Sequence, residues 1–569
     1  MEEFLFEVSW EVCNKVGGIN TVLRTKAQEA VRNYGDNYIL LGPDLKTNPE
    51  FEETDEECWS RIREGIAIKE IPCRFGRWKI PGNPKVILVG TGKKFNQDQI
   101  LFELWEYYGV DSISGGWDYI EPVMFSHACG TVIETVFNLI VRSRGKAVAQ
   151  FHEWMCGAGL LCVKKRVPEI GTVFTTHATI LGRTLAGSGI DIYASMEHIS
   201  PQREAASHNI AAKHSMEAAS AREADCFTTV SEITATEARN FLGRDPEVIT
   251  TNGIDIENIP DLAADRSPAL RERGRLLEFA SRFLRKSFND NTRIMITSGR
   301  YEFHNKGIDI FLEALGRINR ESRDRDVIAF ICVLGEHMAI NPAALSGAAA
   351  PGPPLITTHR LQNEAGDPIL NACSSLNLRN AAENRVNIIY VPAFLNGHDG
   401  LINMDYYQTL SSCDLGVFPS YYEPWGYTPL ESAAHAVPTI TTDQAGFGLW
   451  ARHAFGESKG VMILKRTGIP LKEVQDGLYN LLKEFLALPD AALNARRKEA
   501  RQVAVRADWK DFYGLYVDAC KRAMAAAGTR SARMATTEFR EKMRYTFAGT
   551  ASVQPHFRNL TAVVNLPPA

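Results

Sequence analysis

Short apolar runs recur along the chain, each followed by a polar or glycine-rich turn and then by helix-forming sequence. Residues 86–89, 147–151, 173–176, 227–230, 293–297, 327–333, 386–391, 415–418 and 439–442 are short β-rich runs with few charged positions. That pattern predicts strands buried on both faces. Alternation with helical segments predicts parallel sheets covered by helices, a doubly wound α/β architecture. Between 255 and 291 the strand signal lapses and RERGRLLEFASRFLRKSF is basic and helical. A linker there divides the chain into a first domain over 1–270 and a second over 271–528. Residues 529–569 turn to mixed polar sequence and are expected to form a surface-packed or partly disordered tail.

Composition changes this picture little. Of 569 residues, 45% are hydrophobic and 23% charged, which is ordinary for a globular protein. A net charge of −5 offers no electrostatic footprint for nucleic acid or a membrane surface. Eleven cysteines without a CxxC pair read as reduced thiols of a cytoplasmic protein. The start, MEEFLFEVSW, is acidic and has no basic flank, so no signal peptide is expected, and no apolar run suggests a membrane span. Spacings for a metal site are also missing from the sequence.

Candidate chemistry gathers where the predicted strands end, and in open α/β sheets ligands bind beyond the carboxyl ends of strands. The run 147–151 delivers His152 and Glu153; 173–176 delivers His177, with Arg183 one loop further on; 293–297 delivers Arg300 and then Lys306. In NKVGGINTVL, Lys15, Gly17 and Gly18 precede a helical run, a place where backbone N–H groups can hold phosphate. The same Gly-Gly fits a tight turn, Arg300 and Lys306 fit a solvated surface, and His177 fits a satisfied core histidine. VGTGKKF lacks the first glycine of a nucleotide P-loop.

The run 415–418 delivers YYEPWGYTPLESAAHAVP, with Glu423 and Glu431 eight positions apart. Thr428-Pro429-Leu430-Glu431 matches a capping box, which would make Glu431 a helix-start residue only. No such role explains Glu423, which precedes Pro424 in the loop. A helix start offering free N–H groups beside two carboxylates suits a sugar nucleotide, phosphate on the amides and hydroxyls on the acids.

At this point FEVSWEVCNKVGGINTVL, FHEWMCGAGL, TTHATILGR, FTTVSEITATEA, TNGIDI, GRYEFHNKGID, DPILNA and VFPSYYEPWGYTPLESA are collinear over residues 4–520. Together they resemble glycogen synthases of the animal and fungal type, glycosyltransferase family 3. The resemblance implies a GT-B fold, two Rossmann-like domains facing each other across a cleft. It implies retaining transfer of glucose from UDP-glucose to the end of an α-1,4-glucan, without metal ion or cofactor. A starch or sucrose synthase type, using ADP-glucose or another acceptor, is the alternative. By position, Arg300 and Lys306 would hold the diphosphate, Gly18 and the amides of Gly426, Tyr427 and Thr428 would add donors, and Lys15 and Arg183 would line the donor site. Glu431 would take the ribose hydroxyls and Tyr406 would stack on uracil. His177 would sit near the transferred glucose, Glu153 on its acceptor side, and Glu423 at the anomeric carbon.

Two departures from the family stand out. LGEHMAINPAALSGAAAPGPP is too short and too rich in Gly and Pro for the helical insertion that builds the family's tetramer, so any homo-oligomer would be of another kind. Against the family's effector helix, ARRKEARQVAVRADW keeps Arg497 and Arg501 four apart but places Val503, Ala504 and Val505 among them. A weak anion site for glucose 6-phosphate is conceivable there; a solvated basic face is the plainer expectation.

Overall fold

The computed structural model describes residues 2–45, 47–91, 95–321, 325–346 and 354–550. The first sheet contains β1 (Glu2–Val8), β2 (Tyr38–Pro43), β3 (Phe51–Glu53), β4 (Cys73–Trp78), β5 (Lys85–Val89), β6 (Gly145–His152), β7 (Gly171–Thr176), β8 (Cys226–Thr229) and β9 (Val248–Ile249). Their order is β3-β4-β5-β2-β1-β6-β7-β8-β9, parallel except where β4 meets β3 and β5. The second domain holds β10 (Arg293–Arg300), β11 (Val327–Leu334), the antiparallel pair β12 (His337–Ile340) and β13 (His359–Leu361), β14 (Val386–Val391), β15 (Leu415–Val417), β16 (Thr439–Thr442) and β17 (Val461–Leu464). Six of these form a parallel sheet in the order β14-β11-β10-β15-β16-β17.

Runs with few charged positions explain this arrangement, because strands such as β2, β5, β14 and β16 are buried at every position. Helices then cover both faces. Helix Ile308–Arg320 turns Ile308, Phe311, Leu312, Leu315 and Ile318 onto the second sheet and its charges outward. In each sheet the strand order reverses beside a central strand, between β1 and β6 in the first and between β10 and β15 in the second. Those reversals open the crevices in which such sheets bind ligands.

Helix Trp117–Val136, extended by a π-turn to Val141, is apolar and long enough to cross a membrane, contrary to the expectation from sequence. It is a core helix: 72% of its apolar window is buried. It packs closely on helix Gly157–Arg166, where a Cβ on Gly159 would come within 2.5 Å of the Ser126 carbonyl.

Two helices lie at the passages between the sheets. Helix Ser267–Leu284 does pack on the second sheet, its Leu276, Ala280 and Phe283 against Ile294 and Ile296. The final helix, Trp509–Thr550, returns to the first sheet and lies over β6, β7 and β8. The Ala523 backbone approaches Gly171 so closely that a Cβ there would sit 2.6 Å from it. Residues 529–550 are thus helix rather than tail, and 551–569 lie outside the described residues. The two passages between domains run side by side, with Ile254 N–H donating to Ala507 O at 2.9 Å and Trp509 N–H to Ile254 O at 3.1 Å.

Candidate active site

At the end of β1 the chain turns through Ser9–Gly17 into helix Gly18–Tyr34. Its first amides are partly occupied: Gly17 and Asn20 N–H both donate to Glu11 Oε2 at 2.8 Å. Burial raises the Glu11 carboxyl, and those two amides, Arg183 and Arg300 pull it back down. The Gly17 amide is therefore engaged, whereas Gly18 faces open space. Glu11 sits within one of the family-like motifs, yet nothing in its spacing marks it as the group closing this helix start.

Beyond β6 and β7, Glu153 adopts a left-handed backbone at φ 65°. For a non-glycine residue this is uncommon and, at a site, functionally suggestive. Its carboxylate accepts from the N–H groups of His177 (2.8 Å) and Ala178 (3.2 Å), and burial raises its pKa. His177 is 7% exposed and lies 2.8 Å from His152. Arg183, in the helix Ile180–Gly187, is exposed.

The second sheet supplies the facing groups. Arg300, at the tip of β10, is exposed and pairs with Glu302 at 3.0 Å. Lys306 forms an ion pair with Glu423, both largely shielded from water. Glu423 is held by its own backbone, since its loop bridges to Ala445 and Gly446 N–H donates to its carbonyl at 3.0 Å. Trp425 anchors the same loop by packing against Phe447 and Phe512. Gly426 then takes φ 106°, which favours glycine, and starts the helix Tyr427–Ala434.

The capping-box reading fails here. The helix begins at Tyr427, before the expected first position at Pro429, and no side chain caps it. The Glu431 carboxylate instead accepts from Tyr407 OH at 3.0 Å. Burial pushes Glu431 up to about 7, with Tyr407 and Lys15 opposing. Lys15 is exposed on the first domain, so its influence on Glu431 reaches across the cleft. Tyr406 is half-buried, its hydroxyl 2.9 Å from Ser298 Oγ. Tyr407 is exposed and stacks on His435 with ring centroids 4.8 Å apart. Sequence reasoning passed over Tyr407, although its adjacency to Tyr406 was the available signal.

The domains touch through the same loop. Tyr422 inserts among Leu181, Leu185, Ile192 and Phe241 of the first domain. Its hydroxyl donates to Glu237 at 3.1 Å, alongside Thr179 (2.6 Å) and Tyr193 (3.0 Å). Burial pushes the Glu237 carboxyl up to about 7 against these donors. The folded protein thus keeps a proton that the unfolded chain loses above its ordinary value of 4.5, so Glu237's contribution to stability falls between pH 4.5 and 7. Glu237→Gln has no proton to lose. Relative to the parent it should gain up to about 3 kcal/mol between pH 4.5 and 8, read from thermal melts across that range.

Arg497 and Arg501 do not form the solvated face expected, nor do they present free guanidinium groups. Arg497 is 3% exposed and bonds Asp414 at 2.6 Å and the Cys413 carbonyl at 3.2 Å. Burial pushes its pKa down to about 9, with Asp414 opposing. Arg501 donates to the carbonyls of Ala434 (2.5 Å) and Ile259 (3.0 Å), tying the end of the Glu431 helix to the interdomain passage. Among the described residues, no group of three or more His, Cys, Asp or Glu is placed to hold a metal ion.

Two cations, Arg300 and Lys306, at the end of the second sheet thus stand with buried carboxylates and imidazoles at the ends of strands in two doubly wound domains. The glycogen synthase family model matches residues 7–352 and 350–566. Human liver glycogen [starch] synthase is 33% identical over 90% of this chain and 82% of its own length. The Caenorhabditis elegans enzyme is 30% identical over 91% and 87%. Among solved structures, the catalytic domain of Arabidopsis thaliana starch synthase IV bound to ADP and acarbose aligns with a TM-score of 0.57 at 12% identity, covering 92% of this chain and all of that one. Sucrose-phosphate synthase from Thermosynechococcus elongatus gives 0.52 at 14% identity, covering 92% of this chain and all of that one. The fold is thereby the expected GT-B fold, and its substrates are a nucleotide-sugar donor and a glucan acceptor. Matched along nearly its whole length, with a third of positions shared with an animal enzyme, the chain belongs to the glycogen synthase family of glycosyltransferases.

Proposed function

We propose that the chain transfers glucose from UDP-glucose to the non-reducing end of an α-1,4-glucan, with retention at the anomeric carbon. The observation that carries this reading is the Lys306–Glu423 pair at the second crevice, beside exposed Arg300 and the Gly426–Thr428 helix start. Arg300 and Lys306 would grip the diphosphate and stabilise the charge that develops as it leaves. Gly18, Gly426, Tyr427 and Thr428 would add backbone donors, with Lys15 and Arg183 along the donor path. Glu431, with Tyr407, would take the ribose hydroxyls, and Tyr406 would line the uracil. His177 would contact the transferred glucose and Glu153 its acceptor side.

Glu423 is paired with a lysine, which lowers its reactivity as a free nucleophile. That favours front-side attack, the leaving phosphate accepting the acceptor's proton and Glu423 holding glucose hydroxyls, over the covalent carboxylate route of retaining hydrolases. All eleven cysteines are free thiols, which suits a cytoplasmic enzyme.

The test is to incubate purified protein with UDP-glucose or ADP-glucose, with and without glycogen, and to follow glucan length. Chain extension from UDP-glucose is expected. Extension from ADP-glucose alone would assign the starch-synthase donor instead, and nucleotide release without extension would remove the glucan acceptor.

A further inference from the structure

Behind His177 runs a line of buried groups that the proposed transfer leaves without a role. Lys26, on helix Gly18–Tyr34, ion-pairs with Glu7 Oε1 in β1. Tyr38 OH donates to Glu7's other oxygen. The same Oε1 lies 2.7 Å from His152 Nε2, and His152 Nδ1 lies 2.8 Å from His177 Nε2. The Lys26 ammonium sits 4.5 Å over the ring of Tyr516, from the final helix. Glu7, Lys26 and His152 are each at most 1% exposed.

Proton positions along this line follow from what each group can do. Glu7 is ionised: burial alone would raise its carboxyl, but Lys26 and His152 hold it well below the usual carboxylate range. A carboxylate only accepts, so His152 must present Nε2–H to it. Burial keeps His152 neutral, with Glu7 opposing and Lys26 assisting, so its Nδ1 carries a lone pair. The donor between the rings is then His177 Nε2–H. Burial, His152, Lys26 and Arg183 all disfavour a charged His177, with Glu7 opposing them more weakly. Its lone pair is therefore at Nδ1. The reverse tautomer at His177 would set two lone pairs face to face, unless His152 also turned over and left Glu7 facing a lone pair of its own.

We infer that Lys26, Glu7 and His152 are positioning residues that hold His177 as the neutral Nε2–H tautomer, so that Nδ1 is a fixed acceptor for a hydroxyl of the transferred sugar. The sugar contact rests on the role proposed for His177 above; the tautomer lock does not. Pairing Lys26 with Glu7 gives the line no net charge, so it sets a direction for hydrogen bonds without drawing a proton onto either ring.

Long-range 1H–15N spectra of 15N-histidine-labelled enzyme at pH 7 test the lock, with the His177 signals identified by their loss in His177→Ala. A protonated Nε2 and an unprotonated Nδ1 are expected. A protonated Nδ1, or an imidazolium, would overturn the inference in the parent protein alone. Glu7→Leu/Lys26→Met removes the ion pair without leaving either charge buried and unpaired. It should shift His177 to averaged 15N positions and lower kcat/KM about tenfold, the worth of one hydrogen bond. Glu7→Gln keeps an acceptor oxygen and should retain the parent tautomer. A folded double variant with an unchanged His177 tautomer would also sink the lock. Averaged positions with unchanged kcat/KM would uphold the lock and remove the sugar contact, so the two failures are told apart.

Discussion

Lys306→Ala is expected to lower kcat by about 10²–10³ while melting within a few degrees of the parent. The loop around Lys306 does not depend on its side chain. Lys306 N–H donates to Glu302 O at 2.9 Å, Gly307 N–H to His304 O at 2.7 Å, and Tyr421 N–H to Asn305 O at 2.8 Å. The ammonium meets Glu423 at the cleft wall, where both side chains keep some access to water, so Glu423 can be rehydrated when it loses its partner. The departing diphosphate has no such substitute, because of the two cations proposed to grip it Arg300 alone would remain. Steady-state rates with UDP-glucose and glycogen, beside a thermal melt, check this. A near-normal kcat would take Lys306 out of the mechanism.

Arg497→Ala should instead act on stability, costing about 3 kcal/mol. Asp414 is 2% exposed and held by Arg497 on one oxygen and by Arg273 at 3.0 Å on the other, with Ile294 N–H also donating to it. Removing Arg497 leaves half of a buried carboxylate unpaired beneath β10 and β15, where the penalty is large. The resemblance to animal and fungal enzymes would make this arginine an effector contact. A guanidinium committed to Asp414 and a carbonyl is a poor receptor for a sugar phosphate, so millimolar glucose 6-phosphate should barely change activity at sub-saturating donor. A large activation that vanishes in an equally stable Arg497→Ala variant would reverse both expectations.

Nine of the seventeen strands among the described residues were legible because parallel strands covered on both sides are mostly apolar or β-branched, although β2 and β17, equally apolar, were passed over. The runs 386–391 and 439–442 coincide with β14 and β16, and the others differ at their ends by one to three residues. β1 escaped notice because Glu7 interrupts its apolar run, and that glutamate is buried only by virtue of Lys26, Tyr38 and His152 from other elements. Partners so distant in sequence leave no local signal. The helix Asp490–Val505 misled for the same reason. Its arginines read as a surface face, yet Arg496, Arg497 and Arg501 turn inward because acceptors from other segments await each of them. Charge pattern alone does not say which face a helix buries.

The helix Trp509–Thr550 gives the molecule a particular order of assembly. A ribosome delivers β1 to β9 first, but the face of β6, β7 and β8 stays bare until Trp509, Tyr513, Tyr516 and Ala523 emerge. The whole second domain is made in between, on the order of ten seconds or more at ordinary elongation rates. During that interval the nascent first domain leaves an apolar sheet face uncovered, and Lys26 lacks the ring of Tyr516 that later covers it. Premature termination anywhere before residue 509 therefore releases a half-finished sheet, a ready client for chaperones, and not a free-standing domain.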